Sequence, residues 1–357
     1  MTSVLSVEER SPRSVPAGTA SLASRLAALP PGHVDLHTHA IDPDLPDVGQ
    51  AHPGRFPVVR RTAPDRAQIF SDGRLYREVD SRCWSAEARV ADMDAEGVAA
   101  QVVSATPITL CHGEPAEGAR VLAAAQNDFL AGLVAAAPGR LFALGCVPLQ
   151  DPAAAVAELR RCVGDLGFAG VEIGTRVGDL ELADPFFVPF FQAAADLDAL
   201  VFVHPVDRTL DPRLGKLGVG FGLGMPAETA AAAAGIVVGD LLDAVPGLRM
   251  CLAHGGGTLP SALARLDHGL RRAGVTDPAR LATARARRLW CDSLTYDAPA
   301  LRLAAERFGA GHVVLGTDYP FDAREQPAGA VLASAPDLPV TAASARASTL
   351  ALLAGAR

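Results

Sequence analysis

Eight short apolar runs, separated by longer helical stretches, constrain this chain more than any other feature. They are HVDLHTH (33–39), AAQVVSATP (99–107), LFALGCVPL (141–149), FAGVEIGT (168–175), LVFVHPV (200–206), LRMCLAHGG (248–256), LWCDSLTY (289–296) and HVVLGTDYP (312–320). Each is continuous rather than alternating, the pattern of parallel strands covered on both faces. The intervals carry helical patterns such as PAAAVAELRRCV and FFVPFFQAAADL, and the run Ala230 to Ala234 reads as helix because alanine is the best helix former. Eight βα units in roughly 290 residues is the count of a (β/α)8 TIM barrel. A doubly wound sheet is the alternative, but no Gly-x-Gly-x-x-Gly follows the first strand. Residues 33–357 are therefore read as one α/β barrel domain.

The interval 40–90 is too long for one loop and one helix. It holds FPVVRR, RAQIF and GRLYREV, broken by Pro53, Pro64 and Asp72-Gly73. This predicts a small antiparallel β insertion after strand one, turning at Asp72-Gly73 and sitting over the barrel mouth. Residues 1–32, rich in Ser, Pro, Ala and charge, read as a flexible N-terminal tail.

Composition removes several functions. The net charge is −8, from 40 acidic and 32 basic residues, so there is no basic stripe for a phosphate backbone. No run of eighteen apolar residues and no signal-like start is present, so no membrane role is expected. The six cysteines show no Cys-x-x-Cys spacing, and Cys146, Cys251 and Cys291 lie inside strand-like runs. Buried free thiols in a reducing cytoplasm fit that usage.

The chemistry gathers at strand ends. His37 and His39 end the first strand, His204 the fifth, His254 the sixth and Asp318 the eighth. C-terminal strand ends converge on one face of a barrel. His37 and His39 are two apart, so in a strand they share a side. Taken singly, a His-x-His pair or a lone aspartate is an ordinary structural feature. Their common placement predicts a metal site of His37, His39, His204 and Asp318. His254, followed by Gly255-Gly256-Gly257, is read as the acid/base beside the open position, with a fifth ligand as the alternative. His33, His52, His112, His268 and His312 lack this placement and receive no chemistry. Lys216 is the only lysine, and the fourth strand carries Glu172 instead of one. A single metal is the economical reading, with Glu172 bridging a second ion as a minor alternative.

HVDLHTH, GVEIGT, FVHPVD, GMPAET, LAHGGG and VVLGTDYPF, in this order, resemble the aminocarboxymuconate semialdehyde decarboxylase branch of the amidohydrolase superfamily. The similarity runs from about residue 33 to about residue 325. It implies a zinc ion held by His37, His39, His204 and Asp318, with Mn2+ as an alternative metal, and catalytic roles for His254 and Asp318. It further implies substrate binding by Arg77, in DGRLYREV, by Phe321, and by Arg265, in LPSALARLDHG, reaching the neighbouring site of a homodimer. Guanidinium forks suit that task, because they grip carboxylates at two points. The chain departs from the branch at Ser71, where a lysine is usual, at Val206, where a tryptophan is usual, and at Gly218 and Phe221, usual aromatic positions. The pocket wall is thus altered while the metal residues stand. The function expected is a zinc-dependent carboxy-lyase acting on an unsaturated or aromatic amino- or hydroxy-carboxylate. The competing expectations are a metal-dependent hydrolase or hydratase, and an inactive barrel kept as a scaffold.

Overall fold

The computed structural model describes residues 21–334 and 337–355. All eight strand candidates form strands, and they pair in parallel in chain order. They are β1 (His33–Ala40), β5 (Val98–Ala105), β6 (Leu141–Gly145), β7 (Gly170–Ile173), β10 (Leu200–Val203), β11 (Arg249–Leu252), β12 (Trp290–Asp292) and β13 (Val313–Val314). The intervening numbers belong to the insertion strands β2 (Val58–Ala63), β3 (Arg66–Ser71) and β4 (Arg74–Asp80), and to the short hairpin β8 (Arg176–Val177) and β9 (Leu180–Glu181).

The last strand returns to the first. Leu36 N donates to Leu315 O at 2.8 Å, Asp318 N to His37 O at 2.9 Å and His39 N to Tyr319 O at 2.7 Å. These bonds satisfy edge groups that an open sheet would expose, and they close a (β/α)8 barrel. Its interior is filled by side chains such as Val34, Leu36, Val102, Phe142, Leu144, Phe202 and Val314, all buried. A larger apolar shell lies between strands and helices.

β2, β3 and β4 form an antiparallel sheet, with the β3–β4 turn at Asp72-Gly73. Both turn residues have positive φ, 52° and 72°, as a tight two-residue hairpin turn requires. The sheet is clasped to the mouth of the barrel. Tyr76 OH donates to Asp207, and Arg208 donates to Ser71 Oγ at 2.8 Å.

The expected flexible tail needs correction where it can be seen. Residues 1–20 lie outside the described residues, but Leu22–Ala27 form a helix capped by the Ser21 hydroxyl. Leu26 is buried with Leu352 and Leu353, so this part of the segment packs against the helix Ala342–Ala354 at the N-terminal face of the barrel. All six cysteines are buried and free. One helical stretch, Gly220–Val238, is long and apolar enough to cross a membrane. It lies between β10 and β11, and Ala232, Ala233, Ile236 and Val237 bury into the main core.

One polar group fixes β1 from outside. Arg89, on the helix Ala86–Glu96, is fully buried. It donates to His39 O at 2.8 Å, Arg82 O at 3.0 Å, Thr38 Oγ1 at 2.9 Å and Gln101 Oε1 at 3.1 Å. Each acceptor left unpaired in the interior costs about 1–3 kcal/mol. Arg89→Met is therefore expected to destabilise the chain by about 3 kcal/mol or more. Urea unfolding monitored by circular dichroism checks this.

Candidate metal centre

The histidines of β1 face the barrel axis because the strand is irregular. Pairing of β1 with β5 slips between Asp35 and Thr38. Before the slip, Val34 and Leu36 pack in the interior; after it, Thr38 turns outward to Arg89 and Val102, and His37 and His39 turn inward. Bulges of this kind re-aim side chains beside active sites. The spacing of His37 and His39 indicates a shared side, but the slip that makes that side the inner one has no local signature in the sequence.

His204 follows β10, directly above the interior residue Phe202, and Asp318 follows β13 with φ of 65°. One donor atom from each of His37, His39, His204 and Asp318 lies within 4.8 Å of the others. His37 Nε2 and His39 Nε2 are 3.1 Å apart, and Asp318 Oδ1 is 3.2 Å from His39 Nε2 and 3.6 Å from His37 Nε2. Every Nδ1 is engaged on the far side. His37 Nδ1 lies 2.7 Å from Asp292 Oδ2, His39 Nδ1 3.2 Å from Ala105 O and His204 Nδ1 2.6 Å from Pro205 O. Oxygen acceptors at Nδ1 hold the ring proton there and leave each Nε2 lone pair free. His204 Nε2 is buried with no hydrogen-bond partner among the described residues, which is costly unless a ligand is bound. Three imidazole nitrogens and a carboxylate fit a divalent cation such as zinc or manganese. Among the described residues this is the one cluster of three or more His, Cys, Asp or Glu donors, and Glu172 is not in it.

Electrostatics follow from burial and crowding. Burial lowers His204 well below the ordinary histidine range, and the neighbouring imidazoles lower it further. Burial lowers His39 despite its contact with Asp318. At His37 burial also works downward, but the hydrogen bond and charge of Asp292, with the charges of Asp318 and Asp35, together raise the group. Burial alone would raise Asp318, yet its close contact with the His39 ring and the charge of His37 bring it down to about 2. Glu172 is fully buried, and burial together with the charge of Asp318 pushes its carboxyl well above the usual carboxylate range.

His254 stands apart from the four donors, its ring centre 5.0 Å from His204 and 5.4 Å from His37. It has φ of 58°, and Gly255, Gly256 and Gly257 continue with positive φ. A Cβ on Gly256 would come 2.6 Å from the Phe308 ring and one on Gly257 2.1 Å from Pro226 O. The glycines thus allow both the left-handed turn and the close packing that turn the imidazole toward the mouth. Burial, followed by the charge of His37, lowers His254 to about 4, so it rests as a neutral base.

His254 and Asp318 open onto a cavity of about 270 Å³, walled on the other side by the insertion. Phe321 stacks on the His39 ring at 5.4 Å, and the Arg77 guanidinium lies 4.0 Å over the Phe321 ring and 5.3 Å over Tyr76. Among the described residues Arg77 forms no ion pair, whereas Arg82 in the same wall is held by Asp80. Arg265 is not brought to this cavity; it is exposed on the helix Leu259–Arg272. At the departures from the branch, Ser71 accepts from Arg208, Val206 is buried and Phe221 lines the mouth. Sequence reading missed Asp292, which lies inside the seventh strand candidate and ends β12, and it missed the pairing of Tyr76 with Asp207. Strand-end position alone signalled the first, and nothing local signalled the second.

This barrel and donor set define the class of metal-dependent enzymes that work at the C-terminal strand ends. The family model described as Amidohydrolase matches residues 34–346. The 2-amino-3-carboxymuconate-6-semialdehyde decarboxylase of Dictyostelium discoideum is 32% identical over 306 residues, covering 84% of this chain and 85% of that protein. The gamma-resorcylate decarboxylase of Rhizobium radiobacter is 31% identical, covering 71% of this chain and 82% of its own. A crystal structure of 5-carboxyvanillate decarboxylase from Novosphingobium aromaticivorans DSM 12444, complexed with manganese and 4-hydroxy-3-methoxy-5-nitrobenzoic acid, superposes with a TM-score of 0.63 at 26% identity, covering 74% of this chain and 78% of that one. The chain belongs to the amidohydrolase family, in its aminocarboxymuconate semialdehyde decarboxylase branch. That membership makes it a metal-dependent carboxy-lyase.

Two outcomes are expected. His204→Ala or Asp318→Asn removes a donor and lowers the metal content of purified protein well below that of wild type, read by plasma emission spectrometry. In metal-free protein the folded pKa of His254 lies below its unfolded value of 6.5, so the unfolded chain takes up the proton more readily. Its contribution to stability is present above pH 6.5 and is lost as the pH falls toward about 4. Melting temperatures over that window should fall more steeply for metal-free wild type than for His254→Gln.

Proposed function

We propose that the chain is a zinc-dependent, non-oxidative decarboxylase of an unsaturated or aromatic carboxylate bearing an amino or hydroxyl group. The observation that carries this reading is four convergent donors at one end of a cavity that also holds a neutral histidine and an arginine with no carboxylate partner among the described residues. A divalent ion held by His37, His39, His204 and Asp318 supplies Lewis acidity toward an oxygen of substrate or water.

The rest falls to the side chains. Arg77 grips a carboxylate with its guanidinium fork, and Phe321 offers a flat apolar face for a conjugated or aromatic ring. Cleaving a carboxylate from an sp² carbon would leave an electron pair with no π system to enter. His254 therefore takes a proton from water or from the substrate's own hydroxyl or amino group and delivers it to the carbon bearing the carboxylate. That carbon becomes tetrahedral, the C–CO2 bond breaks, and its electron pair restores the conjugated system. In net terms one proton replaces carbon dioxide. The left-handed backbone at His254 fixes the ring for this transfer, and the stacked Arg77 keeps the breaking bond aligned with the π system.

Arg265 enters this reading through a second copy of the chain. On a twofold-symmetric dimer, Arg265 of one subunit is proposed to reach the carboxylate in the other site. Such sharing predicts complementation. Mixing inactive His254→Ala with inactive Arg265→Ala under exchange conditions should recover about a quarter of wild-type activity, since only one of the two sites in a mixed dimer is whole.

The deciding experiment is carbon dioxide release from a panel of amino- and hydroxy-substituted benzoates and muconates, using metal-replete protein. Stoichiometric release supports the proposal; ring opening or hydration without carbon dioxide would replace it by a hydrolase or hydratase. On the best substrate His254→Ala should lose about 10²–10⁴-fold in kcat while keeping its metal.

A further inference from the structure

Asp292 touches neither the cavity nor the four donors' facing atoms, yet its two oxygens are divided between two parts of the site. Oδ2 lies 2.7 Å from His37 Nδ1. Oδ1 accepts from Gly255 N at 2.9 Å and from Leu294 N at 3.1 Å. The carboxylate is fully buried, and Gly316 passes so close that an added Cβ would stand 2.8 Å from both His37 Cβ and Asp292 Cβ. The stems of His37 and Asp292 are thus packed tightly against the Gly316 backbone.

We propose that Asp292 is a positioning residue that couples the metal site to the proton-transfer loop through one rigid carboxylate, with a separate task for each oxygen. Oδ2 fixes the His37 tautomer. By accepting from Nδ1–H it leaves Nε2 unprotonated and facing His39 and Asp318. Oδ1 fixes the turn that follows His254. The Gly255 amide belongs to a run of four residues with positive φ, a conformation costly for His254 itself. A buried carboxylate accepting that amide holds the run in place, and with it the imidazole ring. Metal ligand and proton carrier thus share a single anchor.

The division by oxygen gives a one-atom test. Asp292→Asn keeps a carbonyl oxygen for Gly255 and Leu294 and places an NH2 group opposite His37 Nδ1. Two donors cannot face each other, so Nδ1 gives up its proton and Nε2 takes it, which closes the lone pair the cation needs. Asp292→Ala removes both tasks. Metal affinity is read by competition titration of Zn2+ or Mn2+ against a chromophoric chelator. The dissociation constant should rise about 10–100-fold in Asp292→Asn, while the metal-free variant keeps the wild-type melting temperature within a few degrees. At saturating metal, Asp292→Ala should fall at least tenfold below Asp292→Asn in kcat with similar KM, because only the alanine variant frees the loop. Wild-type affinity in Asp292→Asn overturns the role of Oδ2, and equal kcat in the two saturated variants overturns the role of Oδ1. If neither variant folds, hydrogen exchange in wild type decides. Protected Gly255 and Leu294 amides support the anchor, and exchange at free-loop rates overturns it. The kcat comparison rests on the proposed decarboxylation, whereas affinity and exchange do not, so a wrong substrate class and a wrong role for Asp292 leave different patterns.

Discussion

The three main-chain hydrogen bonds between the ends of the first and last strands carry the rest of the structure. They run from Leu36 to Leu315, from Asp318 to His37 and from His39 to Tyr319. Without them, Asp318 would sit on a free edge and His37 and His39 on the opposite one. With them, residues far apart in sequence become neighbours, and the bond from Asp318 N to His37 O directly joins two prospective ligands. Closure of the barrel and assembly of the metal centre are therefore one event, and the apolar interior below, from Val34 to Val314, sets the floor on which it rests.

Above that floor the polar groups are arranged in two rings. The inner ring is the Nε2 atoms and the Asp318 carboxylate, all aimed at one point. The outer ring is the set of acceptors that hold each Nδ1: a carboxylate for His37 and main-chain carbonyls for His39 and His204. Arg89 adds a third level by gripping the His39 carbonyl and the Thr38 hydroxyl from outside the barrel. Buried imidazoles held in this way resist protonation, and only His37, paired with Asp292, is raised. The insertion closes the other side of the cavity. Its clasp, through Tyr76 and Arg208, places the Arg77 guanidinium over Phe321 and hence over the His39 ring.

Much of this was legible in the residues. Short continuous apolar runs that alternate with longer helical stretches read as strands covered on both sides, so eight of them bound the architecture, and the strand-end histidines and Asp318 follow from the geometry of any such barrel. Asp72-Gly73 announced its hairpin because two successive positive φ angles admit few residues. What stayed hidden depends on long-range packing. The slip in β1 that turns His37 inward is set by pairing with β5, not by β1 itself. Asp292 looks like any polar residue after an apolar run until the fold brings His37 and Gly255 to its two oxygens. The helix at Leu22–Ala27 is too short to show a period, and it gains order from Leu352 and Leu353, more than three hundred residues away.

The most direct test of the account is a crystal structure of the protein loaded with Mn2+, with anomalous scattering used to locate the ion. The account predicts one strong peak per chain at about 2.0–2.3 Å from the Nε2 atoms of His37, His39 and His204 and from an Asp318 oxygen, with His254 outside the coordination sphere. A peak bound instead through Glu172 or His254, or no peak at the strand ends at saturating manganese, would contradict it.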